Sequence, residues 1–171
     1  MHKRPLLVLA ALVATIAPIE SATAQPAPEA PSGDYCVVHV TGQKASGELT
    51  VSSPRCYASH QSAMTAEGVG AWGSGASDRA QLQALTFEIG YHCDGYNLGG
   101  PCTSVVGSNC TGGWLNTSAF WSNRISSTLA GCPTVRHFDL PNLAGSVKVT
   151  FGAGPHNLTT FNNRTESLQY L

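Results

Sequence analysis

Two histidine–aspartate pairs have the residue types and spacing that could do chemistry. His92 precedes Asp94 by two positions, and His137 precedes Asp139 in the same way. A carboxylate that orients an imidazole creates a general base, the centre of many hydrolytic sites. The two pairs recur at equivalent places in one pattern, whereas catalysis needs a single asymmetric constellation with a nucleophile. Residues two apart on a strand share a face, so we expect each pair simply to hydrogen-bond.

Most of the other residues and motifs that could do chemistry are better explained by structural roles. We interpret His39, His60 and His156 as surface residues. Gly68–Gly73 fits the pattern G-x-G-x-x-G, but no strand of a parallel sheet precedes it, so we interpret it as a connector. Tryptophan rings can stack on carbohydrate and form a binding platform. Trp121 is already explained as a core residue, so Trp114 is the candidate for such a platform.

The first 24 residues have the pattern of a secretory signal peptide. The basic start Met1–Arg4 precedes the apolar run Pro5–Ile19, and small residues at Ala22 and Ala24 suit a cleavage site. A proline-rich leader at 25–33 follows. We predict a secreted protein, extracellular or periplasmic, from a bacterial source.

Composition excludes several partners. The 171 residues contain 9 Lys and Arg against 10 Asp and Glu, for a formal net charge of −1. A chain without a basic stripe is a poor match for the phosphate backbone, so we expect no nucleic acid partner. After the signal peptide, no apolar run approaches the roughly 20 residues of a spanning helix, so we expect no membrane partner and a soluble monomer.

Six cysteines remain after the predicted cleavage. An even number in an exported chain indicates three disulfides, although the connectivity stays open. Proximity in the sequence favours Cys36–Cys56, Cys93–Cys102 and Cys110–Cys132, with Cys93–Cys110 as a competitor.

Residues 34–83 are predicted to form a small α+β segment. The β-branched run Tyr35–Thr41 indicates a strand, and Glu48–Ser52 can pair with it across a glycine-bounded turn. The small residues of Tyr57–Glu67 favour a short helix that ends near glycine. A new strand is expected at Leu82–Ile89.

The rest of the chain repeats itself. His92–Gly100 aligns with His137–Gly145, and Trp121–Ser127 aligns with Phe161–Ser167 in the same order. A period of this length indicates a supersecondary unit that buries its apolar face against its copy. Strand-forming residues between Gly, Asn and Ser turns make that unit β.

These motifs resemble the Greek-key units of the βγ-crystallin superfamily. Each unit there opens with aromatic-x-x-x-Asn-aromatic-x-Gly and closes with aromatic-Asn-Asp-x-x-Ser-Ser. The resemblance covers about half the chain. It implies a mostly β protein with a βγ-crystallin-like double Greek-key sandwich at 84–171, with keys at about 87–130 and 133–171, after a small N-terminal α+β extension.

The resemblance also implies three pairs of structural residues, with one member of each pair in either key. They are a hairpin glycine, a closing serine that hydrogen-bonds back onto the hairpin, and an aromatic that opens the closing motif. These are Gly100 and Gly145, Ser127 and Ser167, and Trp121 and Phe161.

In this superfamily the closing motif is also a calcium-binding loop. Calcium is accordingly the cofactor that the resemblance implies, held by side-chain and backbone oxygens of both copies. The match is incomplete, because Ser122 stands where Asn or Asp is usual. Few carboxylates are nearby, so we expect weak binding or a degenerate site without metal. The candidate ligands are Asn123, Ser126, Asn162, Asn163 and Glu166.

The leading functional prediction is a secreted, non-catalytic binding or stability module. Its expected partner is a surface ligand. The alternative is a proteinaceous inhibitor of an extracellular protease, because secreted bacterial proteins of this kind include inhibitors similar to the Streptomyces metalloproteinase inhibitor family. Its candidate inhibitory loop is Thr103–Asn109. A secreted hydrolase comes third, since the sequence contains no nucleophile motif.

Overall fold

The computed structural model describes residues 33–69, 86–152 and 154–171. Eleven strands, one α-helix and two short 3-10 turns lie within these residues. The strands are β1 (Tyr35–Gln43), β2 (Leu49–Val51), β3 (Arg55–Tyr57), β4 (Phe87–Cys93), β5 (Cys102–Gly107), β6 (Trp114–Asn116), β7 (Ser127–Ala130), β8 (Thr134–Leu140), β9 (Ala144–Phe151), β10 (Pro155–Asn157) and β11 (Ser167–Tyr170). Helix α1 spans His60–Ala66, and the turns span Tyr96–Leu98 and Thr159–Phe161.

Some predictions fall outside the described residues. They concern the signal peptide, residues 25–32 of the leader, most of the Gly68–Gly73 connector and the first part of the strand expected at Leu82–Ile89. In the ranges that are described, no helix is both long and apolar enough to cross a membrane.

The repeated half of the chain forms two four-strand keys that exchange a strand. The first key contributes β4 to β7 and the second β8 to β11. One sheet contains the order β10-β7-β4-β5, and the other has the order β6-β11-β8-β9. The third strand of each key therefore pairs with the fourth strand of the other key. This arrangement confirms the predicted mostly β, two-sheet fold.

The N-terminal residues extend the first sheet. Strand β1 pairs in parallel with β5 and antiparallel with β2 and β3, which brings that sheet to seven strands. The predicted hairpin pairing is confirmed, because Val40 lies opposite Val51 and Gln43 opposite Leu49. The second sheet keeps its four strands.

Helix α1 covers the outer face of the first sheet. It is shorter than predicted because Tyr57 ends β3 and Ser59 caps the helix, with its hydroxyl accepting the Ser62 N–H at 3.1 Å. The buried Ala63 of α1 packs with Val37 and other buried residues of the sheet. The part of the first sheet around β1 and β5 is therefore covered on both faces.

Three disulfides join the pairs that proximity in the sequence favoured. Cys36–Cys56 links β1 to β3, and Cys93–Cys102 links β4 to β5. Cys110–Cys132 ties the connection after β5 to the turn after β7. Each closed loop limits the unfolded chain and contributes a few kcal/mol.

The core between the sheets contains two histidines among apolar side chains. His92 and His137 are both fully buried, and their ring centroids lie 5.7 Å apart in an edge-to-face arrangement. His92 Nε2 meets the Tyr170 hydroxyl at 3.0 Å, and His92 Nδ1 meets Thr128 Oγ1 at 2.8 Å. His137 Nε2 has no partner among the described residues.

Burial keeps both imidazoles neutral. It lowers the pKa of His92 to about 3. The pKa of His137 is also held well below its ordinary value, by burial first and by the proximity of His92 second. A buried charge beside a second imidazole would cost much more than a charge in water.

This pair predicts a loss of stability in mild acid. The unfolded chain binds protons near pH 6.5 and the folded core does not, so stability falls as the pH drops below 6.5, with a slope that approaches about 1.4 kcal/mol per pH unit for each histidine near pH 5. Urea unfolding between pH 6.5 and 5 measures this slope. His137→Leu should reduce the slope by about half, because it removes one of the two groups.

Other shifted groups act outside that window. The pKa of His60 is raised, so its contribution is already complete below pH 6.5. The lowered pKa values of Glu67 and Asp139 make their contributions fall only below their ordinary values, nearer pH 4. A flat profile from pH 6.5 to 5 would contradict the assignment of two neutral core histidines.

Candidate functional site

Two closing loops, residues 121–127 and 161–167, lie against each other where the keys meet. Each begins with a buried aromatic ring, Trp121 or Phe161, and ends at a serine that starts a strand. The ring anchors one end of each loop in the core and the strand fixes the other. The backbone between these two points is therefore held in place.

The loops bind each other through reciprocal backbone hydrogen bonds. The Asn123 N–H donates to the Thr165 carbonyl, and the Asn163 N–H donates to the Ile125 carbonyl, both at 3.0 Å. Asn123 and Asn163 have φ values of 58° and 54°, a left-handed conformation that asparagine tolerates better than most residues. The matching contacts relate the two loops by an approximate two-fold axis.

Four of the predicted calcium ligands touch across this loop pair. The Ser126 hydroxyl donates to Asn163 Oδ1 at 2.9 Å. On the other side, Asn123 Nδ2 donates to Glu166 Oε1 at 2.6 Å. The serine of one key and the glutamate of the other therefore occupy equivalent places with different charge.

The fifth predicted ligand carries an oxygen without a partner. Asn162 Oδ1 is buried and accepts no hydrogen bond within the described residues. Together the loops offer amide, hydroxyl and carboxylate oxygens, which are the donors that hard cations prefer. Glu166 is the carboxylate in this set. In the part of the chain that the structure describes, no three His, Cys, Asp or Glu side chains cluster together, so a cation in these loops would depend mainly on amide, hydroxyl and backbone oxygens.

The closing serines bind the hairpin of their own key. The Ser127 hydroxyl donates to the Gly95 carbonyl at 2.5 Å and accepts the Leu98 N–H at 3.0 Å. Ser167 makes the equivalent two bonds in the second key, at 2.7 and 3.1 Å. Each serine therefore satisfies one donor and one acceptor of a hairpin backbone.

The hairpin glycines occupy positions that other residues would strain. Gly100 and Gly145 have φ values of +71° and +79°. A Cβ at Gly145 would also lie 2.1 Å from Asp139 Oδ1. The backbone conformation in both keys, and the crowding in the second, explain the glycine.

Reciprocal asparagine pairs were not predicted. Asn97 and Asn157 exchange two bonds, from the Asn97 N–H to Asn157 Oδ1 at 2.7 Å and from Asn157 Nδ2 to Asn97 Oδ1 at 2.8 Å. Asn142 and Asn116 exchange the same two bonds at 2.7 and 3.0 Å. Each pair fastens the hairpin of one key to the exchanged strand of the other. The spacing of Asn116 and Asn157, close to the repeat length, was the signal that could have revealed them.

In each of the two histidine–aspartate pairs, the histidine and the aspartate point in different directions. His92 and His137 enter the core, whereas both aspartates form ion pairs with arginine outside it. The prediction that the histidine and the aspartate of each pair hydrogen-bond to each other is therefore wrong. Asp94 follows the last residue of β4, and a bulge in β8 between Phe138 and Leu140 turns the other aspartate away. The ion pairs are Asp94–Arg124 and Asp139–Arg164, each at 2.6 Å.

Glu67 organises a polar cluster at the end of α1. Its buried carboxylate binds His39 Nε2 at 2.9 Å and also accepts from Arg55 and the Tyr57 hydroxyl. Burial opposes ionisation, but the bonds from Tyr57 and His39 and the charge of Arg55 hold the pKa of Glu67 below its usual value. His39 is therefore half-buried and paired, which corrects its interpretation as a plain surface residue.

Glu88 organises a second cluster at the start of α1. Its buried carboxylate binds His60 Nε2 at 3.0 Å and accepts from the Ser104 hydroxyl. The hydrogen bond to Glu88 is the main cause of the raised pKa of His60, although burial opposes it. The order differs from a catalytic triad, because Ser104 donates to the carboxylate and not to an imidazole. His60 is therefore a surface residue with a partner, because its side chain is 37% exposed and bound to Glu88.

The strands correct one further expectation and leave another as a prediction. Most of the candidate inhibitory loop is strand β5, whose residues are all buried between β4 and β1. The Trp114 ring packs at the β1–β2 turn, with Nε1 donating to the Ser46 carbonyl at 3.2 Å. Trp121 is in the core, and Trp72 lies outside the described residues. Trp121 therefore has the structural role expected of it, whereas the partly exposed Trp114 is anchored at the turn and its stacking on carbohydrate stays a prediction.

Comparison with known proteins finds similarity in structure. No protein-family model matches the chain, and no curated protein sequence does. A βγ-crystallin from an Archaea shares 17% sequence identity with a TM-score of 0.39, over 48% of this chain and 95% of that one. A βγ-crystallin domain from Clostridium beijerinckii shares 16% identity with a TM-score of 0.40, over 48% of this chain and 98% of that one. About half of this chain lies outside these matches.

The serine contacts predict a matched pair of destabilised variants. Ser127→Ala and Ser167→Ala should each reduce the free energy of unfolding by about 1–3 kcal/mol, because each leaves a hairpin N–H and carbonyl without their partner. Urea unfolding at pH 7.5 measures the loss. Ser46→Ala in the exposed β1–β2 turn serves as the control and should change stability by less than about 0.5 kcal/mol. Equal stability of all three variants would contradict the role given to the closing serines.

Proposed function

We propose that this protein is a secreted, non-catalytic β module whose paired closing loops bind calcium weakly and gain stability from it. The observation that carries the proposal is the buried Asn162 Oδ1, which has no hydrogen-bond partner among the described residues and lies in a loop pair already rich in oxygen atoms. A buried acceptor without a donor is costly, and a bound cation removes that cost.

The residues that would hold the ion come from both keys. Asn162, Asn163 and Glu166 belong to the second closing loop, and Ser126 and Asn123 belong to the first. Calcium takes six to eight oxygen ligands, and its affinity grows with the number of charged ones. One carboxylate in the set favours a dissociation constant near ~1 mM, which is in the range of extracellular modules. A bound ion would neutralise charge and link the two keys.

Two features support secretion and the absence of catalysis. Three disulfides persist best in an oxidising compartment. The constellation closest to a catalytic one, Ser104 with Glu88 and His60, places the carboxylate between hydroxyl and imidazole, so no base is positioned to activate the serine.

Calcium should raise the melting temperature of the disulfide-bonded protein. At about 10 mM calcium and a dissociation constant near ~1 mM, native-state binding contributes about 1.4 kcal/mol, which is about 3–8 °C in Tm. Differential scanning calorimetry measures the shift. Glu166→Gln and Asn162→Ala should each abolish most of it.

The controls separate specific binding from ionic strength. Glu48→Gln removes a partly exposed carboxylate that pairs with Lys44 in the β1–β2 turn, away from the closing loops, and it should keep the calcium shift. Magnesium at the same concentration should give a smaller shift, because it demands stricter geometry and keeps its water. No calcium-dependent shift in the unmodified protein, together with no heat in a calorimetric titration, would end the proposal.

Inhibition of an extracellular protease is the second candidate, on a different surface. The second sheet has no helix on its outer face within the described residues, and Leu140, Val147 and Phe151 are 50%, 50% and 69% exposed on β8 and β9. Exposed apolar side chains grouped on one hairpin are typical of protein interaction sites. A protease or a surface ligand would bind here and not at the buried β5.

A protease panel tests this candidate directly. Thermolysin-, subtilisin- and papain-type enzymes are assayed with the protein at micromolar concentration. Inhibition that is weakened at least tenfold by Phe151→Asp, but not by Val51→Asp on the first sheet, would support it. The absence of inhibition across the panel would remove protease inhibition and leave the calcium-stabilised module.

A further inference from the structure

A cavity of about 270 Å³ lies between the β1–β2 hairpin and the two-key core. Its walls come from both sheets and are mostly apolar, and His92 lines it as well. The apolar lining side chains include Val38, Val51, Val105, Leu115, Trp121 and Leu168.

The N-terminal extension is what encloses this space. Strand β1 continues the first sheet beyond β5 and supplies Val38, and β2 supplies Val51. The hairpin turn then reaches the edge of the second sheet, where the Trp114 N–H donates to the Gly47 carbonyl at 3.1 Å. Without the hairpin, the side of the cavity formed by β1 and β2 would be open to solvent.

The chemistry of the walls selects an uncharged ligand. Both nitrogens of His92 are already engaged, with the Tyr170 hydroxyl and Thr128 Oγ1, so this ring offers no free donor or acceptor. None of the side chains that line the cavity carries a charge, given that His92 is neutral. Asn116 and Ser118 are exposed, so they place polar groups at the mouth.

We infer that the cavity is a binding site for a small, uncharged and mostly apolar molecule with one polar group. A cavity of about 150 Å³ is enough for a benzene molecule, so the larger volume suits a ligand of two fused aromatic rings or similar bulk. The apolar body lies against Val105, Leu115 and His92, and the polar group lies at the mouth near Ser118. This site is separate from the closing-loop oxygens, so it stands or falls independently of calcium binding.

The probe for this site is 1-naphthol, which has two fused rings and one hydroxyl. Titration of the isotope-labelled, disulfide-bonded protein should give saturable shifts in its NMR spectrum. Nuclear Overhauser contacts from the naphthol ring should reach the methyl groups of Val38, Val105 and Leu115 and the Trp121 indole. Contacts to other parts of the protein, or the absence of saturation up to about 1 mM probe, would overturn the inference.

Two variants on one strand provide the matched test. Val38→Phe fills the cavity and should weaken naphthol binding at least tenfold. Val40 is the next inward-facing residue of β1 and does not line the cavity, so Val40→Phe should bind within twofold of the unmodified protein. Equal affinity of the folded Val38→Phe protein would overturn the inference. The contacts measured in the unmodified protein decide the question if that variant does not fold.

Discussion

The exchange of the third strand between the keys is the constraint on which the rest of the structure depends. Strand β6 completes the sheet of the second key, and β10 completes the sheet of the first. Neither key can satisfy its own backbone, because the fourth strand of each finds its outer partner in the other. The exchange brings the closing loops face to face and sets the asparagine pairs beside the hairpins. Any cation in the loops would therefore act on the interface between the keys and not on one key alone.

The backbones of the two keys are related by an approximate two-fold axis, but some of the side chains do not follow this symmetry. Closing serines, hairpin glycines and arginine–aspartate pairs are the same in both keys, since each serves a backbone conformation that both keys share. Ser126 and Glu166 occupy equivalent places with different charge. The two core histidines also differ, because His92 has two partners whereas the Nε2 of His137 has none among the described residues. The asymmetric positions are those at which the fold does not dictate the residue, and they are therefore the positions open to function.

The structural features that could be predicted from the sequence are those in which a local backbone conformation requires a particular residue type. The hairpin glycines recur 45 residues apart and the asparagines of the closing motifs 40 residues apart, in the same order, so the two keys could be recognised. The hydrogen bonds of His39 and His60 to carboxylates each join residues 28 positions apart, through a helix that has no copy. No local pattern encodes such contacts. Strand β5 was mistaken for a loop because Thr103, Ser104 and Gly107 are weak apolar signals, although pairing on both sides buries them.

The N-terminal extension makes the two outer faces of the sandwich different, because its described residues pack on the face of one sheet and not on that of the other. Helix α1 covers the outer face of the first sheet and fixes itself there through two carboxylate–imidazole pairs. The β1–β2 hairpin closes a cavity against β6, which the keys by themselves would leave open. The second sheet receives no such cover from the described residues, and its β8–β9 hairpin keeps apolar side chains in water. The exposed Leu140, Val147 and Phe151 therefore lie on the sheet that the described residues of the N-terminal extension leave uncovered.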